Sequence, residues 1–194
     1  MPRPSVREQL IEAGLATLHL HGFNGSGVQS ITDAAGVPKG SFYNHFESKE
    51  ALALEALERF WQLGNSRRTL LSDTSLDPVE RLRRHFRSLG EAVVRQDFQR
   101  GCLIGNFSTE LSTQSSEIRE RLATIYAAWS RSIESCVREA EKAGRVMPRL
   151  SAGMIAAFLV NAWEGAALRS KVERDKSPFE QFERVVFASI FTGA

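Results

Sequence analysis

The stretch Ser30–Leu52, SITDAAGVPKGSFYNHFESKEAL, decides how the chain is read. Ile31 supplies an apolar anchor for one short helix, and Ala35 a small residue where a second helix has to cross it. Gly36 suits a backbone that turns with positive φ between the two. Val37 packs beneath that turn, and Phe42 ties the next helix to the core. Pro38 falls in the first turn of that helix, where a missing N–H costs little. Ser48 then caps a longer helix with Lys49, Glu50 and Ala51 in its first turn. The spacing Ile31–Ala35–Gly36–Val37–Phe42 meets the needs of a helix-turn-helix at once.

Working outward, the periodicity stays helical and no convincing strand is found. A first helix is expected from a Ser5 cap to about His21, with Ile11, Leu15 and Leu18 on one stripe and Gly22 as its stop. Ser26 or Gly27 opens a second, and a third covers about Lys39 to Phe46. Asp77-Pro78 starts a fifth, reaching about Gln96, Gly101 opens a sixth, and a seventh runs from about Ser116 to Ala143. Ser151 caps an eighth helix to about Lys171, and Ser177-Pro178 opens a ninth. The expectation is an all-α chain of about nine helices.

Composition narrows the function. With 194 residues, 42% hydrophobic and 25% charged, the chain can bury a core without disulfides or a structural metal. Residues 1–64 carry five Arg or Lys against seven Asp or Glu. Bulk charge therefore gives no support to nucleic-acid binding there, and the local motif must carry that case. Cys102 and Cys136 have no metal-ligand spacing and are too few for a secreted disulfide framework, so reduced thiols in the cytoplasm are expected. The N-terminus has no signal-peptide run. The apolar stretch from Ala152 to Leu168 is interrupted by Asn161 and Glu164, which argues for a buried helix and not a membrane span. The four histidines, His19, His21, His45 and His85, show neither metal spacing nor a nucleophile partner. No glycine-rich phosphate loop is present. Neither an enzyme nor a cofactor nor a metal site is expected.

At Gly22-Phe23, Val28, Ile31, Ala35-Gly36-Val37, Lys39-Gly40, Phe42-Tyr43, His45-Phe46 and Ser48-Lys49-Glu50 the sequence resembles the TetR family of bacterial repressors. Three positions depart from that pattern: Thr32 follows the isoleucine, Gly25-Ser26-Gly27 precedes the second helix, and Pro38 opens the third. The resemblance implies a DNA-binding repressor whose third helix lies in the major groove. Pro38, Lys39, Gly40, Ser41, Tyr43 and Asn44 would then face base edges and nearby phosphates. Ser41 and Asn44 are the candidates for direct base contact, Asn44 being suited to adenine, with Gln29 a weaker one. Tyr43 and His45 would donate to phosphate, and Lys49 would salt-bridge it. Ser26 and the N–H groups around Gly27 would clamp another phosphate at the second helix. The plainer reading, that aromatic residues here only pack a core, is expected to hold for Phe42 and Phe46.

The same resemblance divides the chain into a head at 1–48 and a ligand-binding and dimerisation domain at 49–194. It implies a homodimer on a palindromic double-stranded operator, released by an unknown small-molecule inducer. Phe158, Ala162, Gly165, Ala166, Arg169, Phe182, Val186 and Ser189 are the candidates for a four-helix dimer interface; closing a monomer core is the alternative for them. Candidate pocket residues are Phe60, Trp61, Cys102, Asn106, Phe107, Tyr126, Trp129, Asn161 and Trp163, against the plainer reading of ordinary core. Cys102 sits in Arg100–Asn106, RGCLIGN, at a helix start beside a cation, an environment that favours thiolate. This opening resembles that of relatives responding to electrophiles or acrylate-like compounds. It supports an alternative, a repressor triggered by covalent modification of Cys102, with Lys171 a possible neighbour. Cys136 is expected to be structural. A further alternative is a helical dimer acting through protein partners.

Overall fold

Helix α1 (Val6–His21) begins where the Ser5 hydroxyl accepts the Glu8 N–H, and stops where Gly22 turns to φ 76°. The computed structural model describes residues 4–146 and 150–191. After α1 come α2 (Val28–Ala35), α3 (Lys39–Tyr43), α4 (Lys49–Leu63) and a short α5 (Asn65–Thr69) that runs into a 3₁₀ turn at Leu70–Ser72. Then follow α6 (Pro78–Val94), α7 (Leu103–Leu111), α8 (Ser116–Lys142), α9 (Ala152–Glu173) and α10 (Ser177–Ser189). Among the described residues there is no strand beyond one isolated bridge, Val146 with Phe191. The fold is all-α, as expected. The helix added to the expected nine is α5, which follows directly on Gly64 where α4 ends.

Two compact units emerge: residues up to Leu63 with Cys102–Leu122, and Gly64–Gly101 with the residues from Ala123 onward. The unit that carries the helix-turn-helix thus takes in α4, α7 and the first turns of α8 as well.

In the first unit Leu10, Leu18, Ile31, Phe42, Leu52 and Leu57 are fully buried. Gly14 lets α1 and α4 approach: a Cβ there would stand 2.8 Å from Leu52 Cδ2. At the rim of this contact Arg59 pairs with Glu8 and Glu12, and Arg7 with Glu55. These pairs are solvent-accessible and add little stability each.

The second unit is built on α6. Asp77 caps it by accepting the Val79 N–H at 2.9 Å, with Pro78 at its first position, as the sequence suggested. Its inner face carries two buried polar side chains. Arg81 donates to the Leu71 carbonyl at 3.1 Å and to Glu139 on α8. His85 is fully buried, with Nδ1 2.9 Å from the Arg67 carbonyl and Nε2 3.1 Å from Trp129 Nε1. Because an indole N–H can only donate, Nε2 must accept, and Nδ1 carries the proton given to Arg67. Cys136 donates its S–H to the Pro78 carbonyl at 3.2 Å, and burial pushes its thiol pKa up to about 11. It is a packing residue, in line with expectation.

No helix among the described residues is long and apolar enough to cross a membrane. No group of three or more His, Cys, Asp or Glu among them could hold a metal ion.

The neutral state of His85 has a measurable consequence. Burial lowers its pKa from 6.5 to about 4. The unfolded chain therefore binds the extra proton first, and stability present above pH 6.5 is lost as pH falls toward 4. The loss is on the order of 3 kcal/mol. Urea unfolding from pH 7 to 4.5 should show a shallower decline in His85→Gln than in the parent chain. Parallel declines would rule this assignment out.

Candidate nucleic-acid interface

The segment between α1 and α2 sets where the second helix points. Gly22 has φ 76°, and a Cβ on it would meet Glu110 Oε1 at 2.6 Å. Gly25 lies so close to the His21 carbonyl that a Cβ would be 2.3 Å from its oxygen. This tight path folds Ser26 inward, where it is buried and its hydroxyl donates to the Gly22 carbonyl at 2.7 Å. The expectation that Ser26 caps α2 and clamps a phosphate therefore needs correcting. Gly27 is the N-cap, and Ser30 reaches back to it, accepting the Gly27 N–H at 3.2 Å and donating to the Gly27 carbonyl at 2.8 Å.

Two charged side chains fasten this loop. Lys49, at the start of α4, donates to the carbonyls of Phe23 and Ser26, both at 2.8 Å, and its ammonium lies 4.0 Å from the Phe23 ring centroid. Two of its three N–H bonds are thus directed at backbone, whereas the sequence reading placed the charge on phosphate. From α7, Glu110 accepts the Asn24 N–H at 2.8 Å. Sequence reasoning missed Glu110, which lies 86 residues from its partner in a helix with no motif to mark it.

The turn itself follows expectation. Gly36 adopts the left-handed conformation (φ 67°, ψ 32°), and the Val37 N–H returns to the Thr32 carbonyl at 3.1 Å. Thr32 fits the crossing because its hydroxyl bonds to Val28 and Gln29 carbonyls of its own helix, leaving its methyl to pack.

On α3, Phe42 is fully buried and holds Phe46 tilted at 5.7 Å and Tyr43 edge-on at 5.3 Å. Around that anchor Pro38, Lys39, Gly40, Tyr43, Asn44 and His45 are exposed and Ser41 is half-buried. Tyr43 leaves 59% of its surface open, unusual for a residue beside two packed phenylalanines. Gln29 is exposed on α2, its amide donating to Asp33 at 2.7 Å. The structure thus gathers a polar, aromatic-bearing surface on one short helix, braced from behind.

The expected pocket residues divide. Phe60, Trp61, Cys102, Asn106 and Phe107 belong to the first unit, where Phe60 stands edge-on to His19 at 5.2 Å and Phe107 is fully buried. Tyr126, Trp129, Asn161 and Trp163 belong to the second. The Trp129 and Trp163 rings meet at 5.7 Å. Asn161 is exposed on α9, so its assignment to a pocket needs correcting: it lies two residues from the buried Trp163, on the opposite side of the helix.

Among the expected interface residues Phe158, Gly165, Arg169 and Ser189 are exposed, with Ala162 half-buried. Ala166, Phe182 and Val186 are buried within the chain, a second correction. At 3.6 residues per turn Phe182 and Val186 share the inward face of α10, and Val185 stands about 100° away, exposed. The outward apolar row on α9 is Met154, Phe158, Leu168 and Val172.

Lys49→Met would leave the Phe23 and Ser26 carbonyls without their donor. The expected cost is about 1–3 kcal/mol, read as a lower midpoint in urea. A change under about 0.5 kcal/mol, the range of an ordinary surface substitution, would show that the loop does not need this lysine.

Known proteins agree with this architecture. The family profile described as "Bacterial regulatory proteins, tetR family" matches residues 10–56, and "Tetracyclin repressor-like, C-terminal domain" matches residues 78–186. The HTH-type transcriptional repressor DhaR of Mycobacterium sp. (strain GP1) is 42% identical over 191 residues, spanning 98% of this chain and 94% of that protein. The transcriptional regulator AcuR of Cereibacter sphaeroides is 34% identical over 178 residues, spanning 91% and 81%. Among solved structures, regulatory protein TetR from Rhodobacter sphaeroides superposes with a TM-score of 0.89 at 33% identity, covering 95% of this chain and 98% of that one. The reduced form of NemR from E. coli superposes at 0.84 with 26% identity, covering 97% and 98%. The chain belongs to the TetR family of helix-turn-helix transcriptional regulators and is a repressor of that type.

Proposed function

We propose that the protein is a homodimer that holds a palindromic operator through α3 of each chain and lets go when a small-molecule inducer binds. The observation that carries the reading is the exposed row Lys39, Tyr43, Asn44 and His45 standing over the buried Phe42. Asn44 and Ser41 contact base edges, and Tyr43, His45 and Lys39 reach phosphate oxygens. Gln29 touches the groove only by giving up its bond to Asp33. Lys49 acts from beneath, by fixing the loop that positions α2. One α3 makes few contacts, and two at about 34–36 Å match successive major-groove faces. The outward row Met154, Phe158, Leu168 and Val172 on α9, with Val185 on α10, supplies the surface that a second copy covers.

The test is binding of the full chain to DNA flanking its own gene, by footprint and by fluorescence anisotropy. Asn44→Ala should cost about 1–3 kcal/mol and relax preference at one base position per half-site. Phe158→Asp should yield monomers that lose the palindrome. Absence of binding to any palindrome would sink the repressor reading, an equal loss of Asn44→Ala on all sequences would remove the base contact, and a Phe158→Asp dimer would remove the interface.

A second reading is favoured by the position of Cys102. It is the N-cap of α7, whose other end bears Glu110, the residue that fastens the α1–α2 loop. The preceding Gly101, at φ 69°, lies under Lys171: a Cβ there would be 2.6 Å from Lys171 Cδ. In this reading the Cys102 thiolate adds to the β-carbon of an α,β-unsaturated carbonyl; the C–S bond forms as the C=C π bond breaks, and a proton is taken up at the α-carbon. N-ethylmaleimide should then release the operator from the parent protein, whereas Cys102→Ser should bind DNA normally and stay bound. Equal release of both proteins by the reagent would end the idea.

A further inference from the structure

In the second unit α6, α9 and α10 enclose a cavity of about 250 Å³. Its walls are aromatic: Phe86, Trp163, Phe179 and Phe182. Phe86 meets Phe182 edge-on at 5.0 Å, and Phe179 lies nearly parallel to Trp163, their centroids 6.1 Å apart. Of the residues expected to line a pocket, Trp163 is the one that does so here.

Three features mark this space as more than a packing gap. The first is an unused donor. Trp163 is 3% exposed, yet its Nε1 has no hydrogen-bond partner in the structure. Its neighbour Trp129 gives its own N–H to His85, so the fold satisfies one indole of the touching pair and leaves the other open. A buried N–H without an acceptor costs free energy, and an occupant carrying an acceptor recovers it.

The second is Gly90, in the middle of α6, where glycine is unfavourable for the helix itself. A Cβ at this position would press on Phe179 Cγ at 3.2 Å. The missing side chain keeps the cavity open between α6 and α10.

The third is the rim, where charges are already matched. Arg87 holds Glu183 with Nε 2.8 Å from its Oε2, and Arg83 holds the same carboxylate at 2.9 Å. Lys176 pairs with Glu180 at 2.9 Å, and Glu91 lies 3.7 Å from Arg95. These neighbours leave little unpaired charge to attract an ion. The volume lies below that of pockets for drug-sized ligands, roughly 300–1,000 Å³, and suits one or two fused rings.

We propose that the cavity between α6, α9 and α10 is a binding site for a small, planar, uncharged molecule bearing an oxygen acceptor for Trp163 Nε1. Occupancy of the site stands on its own geometry. Its use as the signal site for DNA release rests on the repressor reading above.

The probe is coumarin, two fused rings with a carbonyl oxygen, titrated into the full-length protein by calorimetry. Naphthalene, equally flat and without an acceptor, is the control, and 2-naphthoate is the charged comparison. Coumarin should bind one per chain, about three- to tenfold more tightly than naphthalene, the range expected for one hydrogen bond. Trp163→Phe keeps a ring and removes the N–H, so it should erase the coumarin advantage and leave naphthalene binding in place. Gly90→Leu should fill the cavity and abolish both. If Gly90→Leu does not fold, the Trp163→Phe comparison decides alone.

Any of four results overturns the site: no saturable coumarin binding at millimolar concentration, an advantage over naphthalene that survives Trp163→Phe, undiminished binding in a folded Gly90→Leu, or 2-naphthoate binding more tightly than coumarin. Operator affinity is read on the same samples. Protein that binds coumarin and no DNA would refute the repressor reading and leave the site standing. Protein that binds DNA and no coumarin would refute the site alone.

Discussion

The loop from Gly22 to Gly27 is held by two opposite charges that come from outside it. Lys49 takes the carbonyls of Phe23 and Ser26, and Glu110 takes the N–H of Asn24. Hydrogen bonds to charged groups contribute roughly 1.5–3 kcal/mol each, more than those between neutral partners. Five consecutive residues with little apolar surface would otherwise have few reasons to hold one path. Once that path is fixed, Ser26 is turned inward, Gly27 becomes the N-cap, and the direction of α2 follows. The turn at Gly36 then carries α3 into place over Phe42. The exposed face of α3 is thus built on a loop whose anchors lie on α4 and α7.

That dependence gives the reading head a lever. Helix α7 has nine residues, about 13 Å from end to end, with Cys102 at its cap and Glu110 in its last turn. A hydrogen bond of 2.8 Å weakens steeply when its acceptor moves by an ångström. Any event that shifts or rotates α7 therefore acts first on Asn24, and through it on the start of α2. Arg121, in the early turns of α8, holds Glu58 on α4 through Nη2 and Oε2 at 2.8 Å, so the other anchor of the loop is also tied to a helix outside the motif. Two fastenings on one short segment make a better candidate for a bistable element than a change spread over a packed core.

How much of this could be read from the sequence depends on the range of the interaction. Capping and turning are local, and Ser5, Ser48, Asp77-Pro78, Ser151, Gly22 and Gly36 all take the roles that their chemistry implies. The burial of Ile31, Phe42 and Phe46 follows from period and spacing. Long-range polar contacts leave no such trace. Nothing in a run of residues says that Glu110 faces Asn24, or that His85 faces Trp129. Ser26 misled because a serine ahead of a helix is a good cap in most settings, and only the close approach of Gly25 to His21 turns it away. Phe182 and Val186 misled because α10 is apolar on more than one side, so that periodicity could not separate its inward row from Val185 on its outward one.

The acidic balance of the first 64 residues looks at first like an argument against a DNA-reading surface. The structure distributes that charge in a way that removes the conflict. Glu8 and Glu12 face Arg59, Glu55 faces Arg7, Glu58 faces Arg121, and Asp33 accepts from Gln29. Most of these carboxylates serve the contacts of α1, α4 and α8. The segment Val37–Phe46, which forms the exposed α3 surface, contains no Asp or Glu at all and carries Lys39 and His45. A count over a domain averages surfaces that a ligand meets separately, and at separations beyond about 8–10 Å exposed charges are largely screened. What a phosphate would meet at α3 is a lysine, a tyrosine hydroxyl, an asparagine amide and an imidazole. The electrostatics of the head is therefore set by where its carboxylates are engaged, and the motif and the charge count no longer disagree.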